Sequence, residues 1–244
     1  MSIKNPRLTG RLIPAESRTA KMEEQMFRLM ETHFQPIDRE KFLADLKEKD
    51  KIILLEDLDG NIQGFTTIKI LVTTFENEPI RVIFSGDTII HRNFWGTLEL
   101  PRTWGRFMLS SIREAQGIPL FWFLISSGYK TYRFLPVFFR EFFPRFNVPT
   151  PKKMECLIEH LANVLFPDQF DKMKGTIALK FPTPLRPGIA DLTPDRMKDP
   201  HISFFAQRNP DHYLGVELAC LAPLEIGNLQ PFVKRLLRTA EEEE

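Results

Sequence analysis

Three strand-like segments that follow one another with only short turns between them constrain this chain more than any other feature. Lys51–Glu56 is rich in Ile and Leu, Ile62–Phe75 is rich in β-branched residues, and Ile80–Ile90 continues the pattern. The pair Asp59-Gly60 separates the first two, as in a tight hairpin whose central residues adopt positive φ. Residues 76–79 form a second turn. Short turns between consecutive strands predict a three-stranded antiparallel meander.

The next two segments predict that this meander continues into a parallel strand. Thr97–Gln116 has a helical pattern, with Pro101 in its first turn and Gly117 at its end. Ile118–Ile125 is then continuously apolar, which is typical of a strand buried on both faces. A strand, a helix and another buried strand in succession predict a parallel pair with a right-handed crossover.

Helical and proline-rich segments flank this core. We predict a helix over Ser17–Phe34 and a second helix that Asp38 caps. The predictions that follow, in chain order, are a helix over Tyr129–Phe146, a helix over Met154–Phe166, a strand over Ile177–Phe181, a proline-rich loop over Pro182–Pro200, a strand over Tyr213–Leu221 and a helix over Leu229–Thr239. Together they give the α/β (α+β) fold class, with a mixed, mostly antiparallel central sheet and helices on both faces. We expect a single domain over residues 1–244, with its core at about 15–146 and an extension over 147–244.

Composition excludes several classes of protein from consideration. Lys plus Arg number 33 and Asp plus Glu number 32, so the net charge of +1 gives no reason to expect a nucleic-acid partner. Cys156 and Cys220 have no metal-ligand spacing, and we expect no metal site. The N-terminal residues lack the apolar segment of a secretory signal, and the longest apolar run is too short to span a bilayer. We therefore expect a cytoplasmic protein without a transmembrane segment.

Phenylalanine is unusually abundant, with 22 residues against 3 Tyr and 3 Trp. Phe134, Phe138, Phe142 and Phe146 recur every four residues, which predicts one wide aromatic face of a helix. A buried core is the first interpretation of this face. A membrane-surface helix, because arginines are interleaved, and the interface of a homodimer are the alternatives.

The segments DLDGNIQGFTTIKI and SGDTIIHRNFWG, in this element order, resemble the GNAT superfamily of acyl-CoA-dependent N-acyltransferases. The resemblance covers a little over half of the chain. It implies acetyl-CoA or another acyl-CoA as co-substrate, with the pyrophosphate held by backbone N–H groups between the third meander strand and the crossover helix. The family motif there is R/Q-x-x-G-x-G/A. In this chain the segment from Arg92 to Gly96 is one residue longer than the corresponding part of the motif, and Leu98 stands at the second small position.

The resemblance also implies which residues bind the coenzyme. At the turn they are Arg92, Asn93, Trp95, Gly96 and Thr97. An ordinary strand-to-helix turn with exposed arginines is the alternative interpretation of this segment. Ser126 and Ser127 follow the buried strand, where the family admits the pantetheine arm between two diverging strands, although small residues also suit an ordinary loop.

Catalysis by such an enzyme requires a base for the amine and often an acid for the leaving thiolate. The resemblance implies Asp87 on the third meander strand as the base, with His91 as second candidate. The alternative interpretation of Asp87 is a bulge or edge residue that only faces water. The family often places a Tyr acid where this chain has Phe138 and Phe139, so Tyr132 is the substitute that we predict.

The resemblance thus implies an acyl-CoA-dependent N-acyltransferase, with acetyl as the first candidate for the acyl group. The partners are an acyl-CoA and either a small-molecule amine or a protein amino group that attacks the thioester directly. One alternative is a GNAT-like module that has lost catalysis and binds acyl-CoA or a lipid. Another is a structural protein that dimerises through its aromatic surface.

Overall fold

An eight-stranded sheet runs through the protein, for which the computed structural model describes residues 7–234. Its strands are β1 (Thr9–Pro14), β2 (Lys51–Glu56), β3 (Ile62–Phe75), β4 (Glu78–Ile90), β5 (Leu120–Ser126), β6 (Phe170–Asp171), β7 (Thr176–Ile177) and β8 (Glu217–Pro223). Their spatial order is β1-β2-β3-β4-β5-β8-β7-β6. The meander and the parallel β4–β5 pair are confirmed, and the other pairs in this order are antiparallel.

Helices cover both faces of the sheet, as predicted. They are α1 (Ala20–His33), α2 (Arg39–Lys47), α3 (Glu99–Glu114), α4 (Tyr129–Tyr132), α5 (Phe134–Phe138), α6 (Lys152–Leu165) and α7 (Pro200–Arg208). The front face is covered by α1, α2 and α6, and the back face by α3, α4, α5 and α7. Ile52 of β2 packs to the front and Ile53 to the back, because successive side chains of a strand point to opposite faces.

Two helix starts follow from capping residues. The Thr19 side chain accepts a hydrogen bond from the Met22 N–H, so α1 begins later than the predicted Ser17. Asp38 Oδ1 accepts from the N–H groups of Glu40 and Lys41, which confirms the predicted cap of α2. Between β2 and β3 the predicted two-residue hairpin is wrong in detail: the loop spans residues 57–61 and, of its central pair, only Gly60 has positive φ.

The predicted helix over Tyr129–Phe146 is wrong. The chain forms only α4 and α5, and residues 139–146 are irregular. Tertiary hydrogen bonds explain the break: the Phe143 N–H donates to Leu221 O at 2.7 Å, and the Arg140 N–H donates to Asn228 O at 2.9 Å. Pro144 lacks the N–H that a helix would need.

The aromatic rings of this segment nevertheless form core. Phe138, Phe139 and Phe142 are buried in the back-face core and Phe143 in the core beneath α6, whereas Phe146 is 45% exposed. The interpretation of a phenylalanine-rich core is therefore confirmed for these four rings. None of the helices within residues 7–234 is long and apolar enough to cross a membrane.

The C-terminal extension differs from its predicted elements. The predicted strand over Ile177–Phe181 is reduced to β7, and the last strand is β8 rather than Tyr213–Leu221. Both β1 and α7 were absent from the sequence predictions. Of the predicted helix over Leu229–Thr239, residues 231–234 are helical and the part from 235 onward lies outside the described residues.

Candidate functional site

A β-bulge in β4 opens the sheet. Thr66 pairs with Thr88 and Ile68 pairs with Ser85, so Gly86 and Asp87 together oppose Thr67. Such a bulge bends its strand and re-aims side chains. Phe84 and Ile89 are an odd number of residues apart, yet both pack on the front face because the bulge intervenes.

Beyond the bulge, β4 and β5 diverge. Their parallel pairing ends at Ser85 and Leu124, after which β4 pairs only with β3 and β5 pairs only with β8. A Cβ atom on Gly86 would lie 2.5 Å from Thr67 Oγ1, which explains why glycine stands at the bulge. The gap between the two strands forms part of a cleft of ≈1550 Å³.

A proline-rich segment, residues 179–190, covers part of this cleft, and we call it the strap. The Gln35 N–H donates to Pro184 O at 3.1 Å, and the Arg186 N–H donates to His33 O at 2.7 Å. Lys41 Nζ lies 3.4 Å from the centroid of the Phe181 ring. These contacts fasten the strap to the end of α1 and to α2, and make the cleft partly enclosed.

Asp87 lies in the cleft, where the bulge directs it. Its side chain is half-buried and makes no hydrogen bond or ion pair within the described part of the chain. Desolvation, with a smaller contribution from the Asp45 carboxylate, raises the pKa of Asp87 to about 7. The Lys49 ammonium opposes this shift, but Lys49 Nζ is already paired with Asp45 Oδ1 at 2.6 Å.

A second carboxylate, Glu217, lines the same cleft from the first position of β8. Desolvation and then the nearby Asp87 carboxylate raise its pKa to about 8. Over residues 7–234, no cation lies within ion-pair distance of either carboxylate. The two groups thus form a coupled pair, in which ionisation of one opposes ionisation of the other.

At the other end of the exposed β4 edge, the turn that leads into α3 presents backbone donors. Gly96 lines the cleft with φ of 90°, a value that favours glycine. Within residues 7–234, the N–H groups of Gly96 and Leu98 donate to no protein acceptor. Because α3 begins at Glu99, the positive end of its dipole lies at the same place.

Two cations, Lys130 and Arg92, lie against the Trp95 ring beside this turn. Lys130 Nζ lies 3.2 Å from the centroid of the indole, and the Arg92 guanidinium carbon lies 5.9 Å from it. Desolvation, then Arg196 and Arg92, lower the pKa of Lys130 to about 8, against the effect of Asp191. Because the neighbouring arginines destabilise the charged form of Lys130, an anion bound beside it would be stabilising.

The structure separates the sequence-predicted coenzyme residues into two groups. Trp95, Gly96 and Ser127 line the cleft. The others lie outside its lining. Of these, Arg92 is exposed beside Trp95, and Asn93 is exposed as well. The Thr97 hydroxyl accepts a hydrogen bond from the Glu99 N–H. Ser126 is buried, and its hydroxyl donates to Gly128 O.

The indole of Trp95 does not fill the gap. Its Nε1 donates to Ile90 O at 2.8 Å, and the side chain is 39% exposed at the mouth of the cleft. His33 Nε2 lies 3.1 Å from the same carbonyl oxygen and is buried beneath it. Trp95 therefore forms a wall beside the Gly96 turn and leaves the interior open.

Comparisons with known proteins bear on the fold alone. No protein-family model matches the sequence, and no curated protein matches it. A conserved Enterococcus faecalis protein, a probable N-acyltransferase, is 14% identical with a TM-score of 0.42 over 55% of this chain. The match covers only 33% of that protein.

Two further solved structures resemble this chain. A GNAT family N-acetyltransferase from Escherichia coli, in complex with CoA, is 13% identical with a TM-score of 0.39, over 53% of this chain and 69% of that one. Glucosamine-6-phosphate N-acetyltransferase from Arabidopsis thaliana is 13% identical with a TM-score of 0.38, over 60% and 97%.

The predicted catalytic alternatives do not reach the cleft. His91 lies at the end of β4, where its Nδ1 accepts from the Asn93 N–H, and it is not part of the cleft lining. Tyr132 is fully buried, and its hydroxyl donates to Pro144 O at 2.9 Å. Burial also raises the pKa of Tyr132. Neither residue therefore belongs to the cleft site.

We expect Tyr132→Phe to lower stability and to leave intact the acyl transfer that the sequence resemblance implies. The substitution removes one buried hydrogen bond, which contributes about 1 kcal/mol, and it keeps the ring between its aromatic neighbours. Thermal melts should show a Tm lower by about 3 °C, with the transfer rate within twofold of the parent. If the folded Tyr132→Phe variant loses tenfold in rate, Tyr132 is a catalytic residue after all.

Sequence reasoning missed Glu217, Lys49 and Lys130. Only Lys130 carried a signal, because it follows the diverging end of β5 by a few residues. Glu217 reaches the cleft because β8 pairs with β5 across almost a hundred positions of sequence. Within the described residues, no group of His, Cys, Asp and Glu side chains has the arrangement of a metal site.

Proposed function

We propose that this chain is an acyl-CoA-dependent N-acyltransferase, with acetyl-CoA as the first candidate donor. The acceptor is a small amine or a protein amino group. The observation that carries the proposal is the gap between β4 and β5, which joins anion-binding donors at one end to an unpaired carboxylate farther along the same strand. Asp87 precedes Ile90 by three residues, which corresponds to about 10 Å along the strand.

The turn supplies what a pyrophosphate requires. The N–H groups of Gly96 and Leu98 and the dipole of α3 favour an anion, and Lys130 adds a cation. Ser127 and the open edge of β4 beyond Ser85 then supply polar groups along the pantetheine arm. At ≈1550 Å³ the cleft exceeds the about 300–1,000 Å³ of ordinary ligand sites, so it has room for a coenzyme and a second substrate.

Direct attack requires few protein groups. The amine nitrogen forms a bond to the thioester carbonyl carbon while Asp87 takes one N–H proton. The tetrahedral adduct then breaks its carbon–sulfur bond, and the thiolate receives the proton through solvent. The products are an amide and a free thiol, with no covalent enzyme intermediate. A carboxylate with a pKa near 7 suits this proton transfer at neutral pH.

The alternative is a module that binds acyl-CoA or a lipid without turnover. The burial of Tyr132 favours it, since the hydroxyl predicted as the acid does not reach the cleft. Release of free thiol from acetyl-CoA in the presence of amines separates the two functions: turnover supports the enzyme, and tight binding without turnover supports the module.

We expect acetyl-CoA at 100 times its Kd to raise the stability of the purified chain. Selective binding to the folded state gives about 2.7 kcal/mol at that ratio, or a Tm increase of about 5–10 °C for a domain of this size. S-acetylpantetheine, which lacks the pyrophosphate, is the matched control and should give a much smaller shift. The absence of any shift at millimolar acetyl-CoA would overturn the proposed function.

A further inference from the structure

The proposed coenzyme path occupies only part of the cleft. From Ile90 back to Phe84, β4 runs about 20 Å along the cleft. The phosphate donors lie beyond Ile90 and Asp87 lies halfway. The region between Asp87 and Phe84, which we call the acceptor compartment, is therefore left for the second substrate.

The walls of the acceptor compartment are apolar. Phe84 packs edge-on against Phe166 at a centroid distance of 5.6 Å. Leu179, at the start of the strap, lines the cleft and packs in the same hydrophobic cluster as Phe84 and Phe166. Hydroxyl-rich or multiply charged substrates would leave their polar groups unpaired against such walls.

The rim of this compartment is apolar as well. Phe181, Tyr213 and Leu214 line the cleft, and they are 56%, 63% and 53% exposed. Large hydrophobic side chains gathered at the mouth of one cleft indicate an apolar ligand that covers them. The contact of Lys41 with Phe181 holds this part of the strap against α2.

Besides two carboxylates, the polar side chains of the cleft lining include Lys41, Asp45, Lys49, Gln169 and Lys180. Asp87 and Glu217 face the cleft from β4 and β8 and interact with each other, and neither has a cationic partner in the described residues. An ammonium group between them would stabilise the ionised form of both carboxylates. It releases one proton to solvent before the nitrogen attacks, and Asp87 then takes the second proton as the bond to the thioester carbonyl carbon forms. Lys49, the nearest protein cation, is held by Asp45.

We propose, on the basis of the proposed function, that the acceptor is a primary amine on an apolar body. Its ammonium group binds between Asp87 and Glu217, and its apolar body lies against Phe84, Phe166 and Leu179 under the strap. The structure thus favours a hydrophobic alkylamine or arylalkylamine over an amino sugar, a polyamine or a protein lysine.

The test measures thiol release from acetyl-CoA with ethylamine, butylamine and hexylamine. Each buried methylene should raise kcat/KM about fourfold, which gives about 200-fold over the four methylenes from ethylamine to hexylamine. 6-Amino-1-hexanol should be at least tenfold poorer than hexylamine, because its hydroxyl would be buried without a partner. Phe181→Ser, at an exposed rim position, should flatten the chain-length series.

Glu217→Gln tests the ammonium subsite. The KM for hexylamine should rise at least tenfold while the acetyl-CoA thermal shift stays unchanged, and Glu225→Gln, an exposed carboxylate beyond the end of β8, should behave like the parent. Three results would overturn the inference: kcat/KM that does not change with alkylamine length, equal rates with glucosamine or spermidine, or an unchanged KM in Glu217→Gln. In each case binding of acetyl-CoA would still uphold the proposed function. If the parent protein does not bind acetyl-CoA, the proposed function itself is overturned.

Discussion

Asp87→Asn should lower kcat for acetyl transfer by about 10²–10⁴-fold, the usual contribution of a positioned general base. The amide keeps the shape of the side chain at the bulge and removes the group that accepts the proton. Acetyl-CoA should still stabilise the variant as it does the parent, because the phosphate donors lie at the other end of the exposed β4 edge. Rates and thermal shifts of the two proteins give both measurements.

The pH profile separates a base from a merely structural carboxylate. Because the pKa of Asp87 is raised to about 7, the parent rate should rise with pH between about 6 and 8. Glu217, Asp45 and Lys49 face the same group, so the observed transition belongs to the coupled set rather than to Asp87 alone. In Asp87→Asn the component near pH 7 should disappear.

Stability provides the control for misfolding. The folded-state pKa of Asp87 lies above the value in the unfolded chain, so between about pH 4 and 7 the folded protein holds a proton that the unfolded chain releases. Stability therefore falls as pH rises through this window. Asp87→Asn removes this penalty, and its Tm at pH 8 should equal or exceed that of the parent. A parent-like rate in this variant would exclude Asp87 as the base.

The meander and its crossover were predictable because their signals are local. Alternating and continuous apolar runs define β2 to β5, and short turns leave little choice of pairing. The family resemblance implied Asp87 as the base through its place on the third of those strands. The setting of Asp87 was not predictable, because the bulge depends on the register of β4 against β3 and on Thr67 opposite Gly86.

The acceptor compartment was not predictable from the sequence. It is assembled by residues distant in the chain, with Glu217 on β8, Phe166 after α6 and Phe181 on the strap. The helix predicted over Tyr129–Phe146 failed for a related reason. Asn228 and Leu221 satisfy the backbone groups of residues 140–143, so tertiary contacts override a helical spacing of phenylalanines.

Lys130→Glu should weaken acetyl-CoA binding by at least 30-fold. Lys130 is held over the Trp95 ring beside the Gly96 turn, with Arg92 and Arg196 nearby. Reversing its charge places a carboxylate where we propose that the pyrophosphate binds, and removes one charge-assisted hydrogen bond. The Kd from calorimetry should rise accordingly, whereas binding of S-acetylpantetheine should change little.

Lys21→Glu is the matched control, since it makes the same change of charge at an exposed position in the first turn of α1. It lies nine residues before Met30, or about 13 Å along the helix from the nearest α1 residue of the cleft. The parent should also lose affinity with added salt more steeply than Lys130→Glu does, because the favourable ionic contact is screened. If both variants bind acetyl-CoA as the parent does, the phosphate end of the coenzyme lies elsewhere, and the direction that we assign to the cleft is wrong.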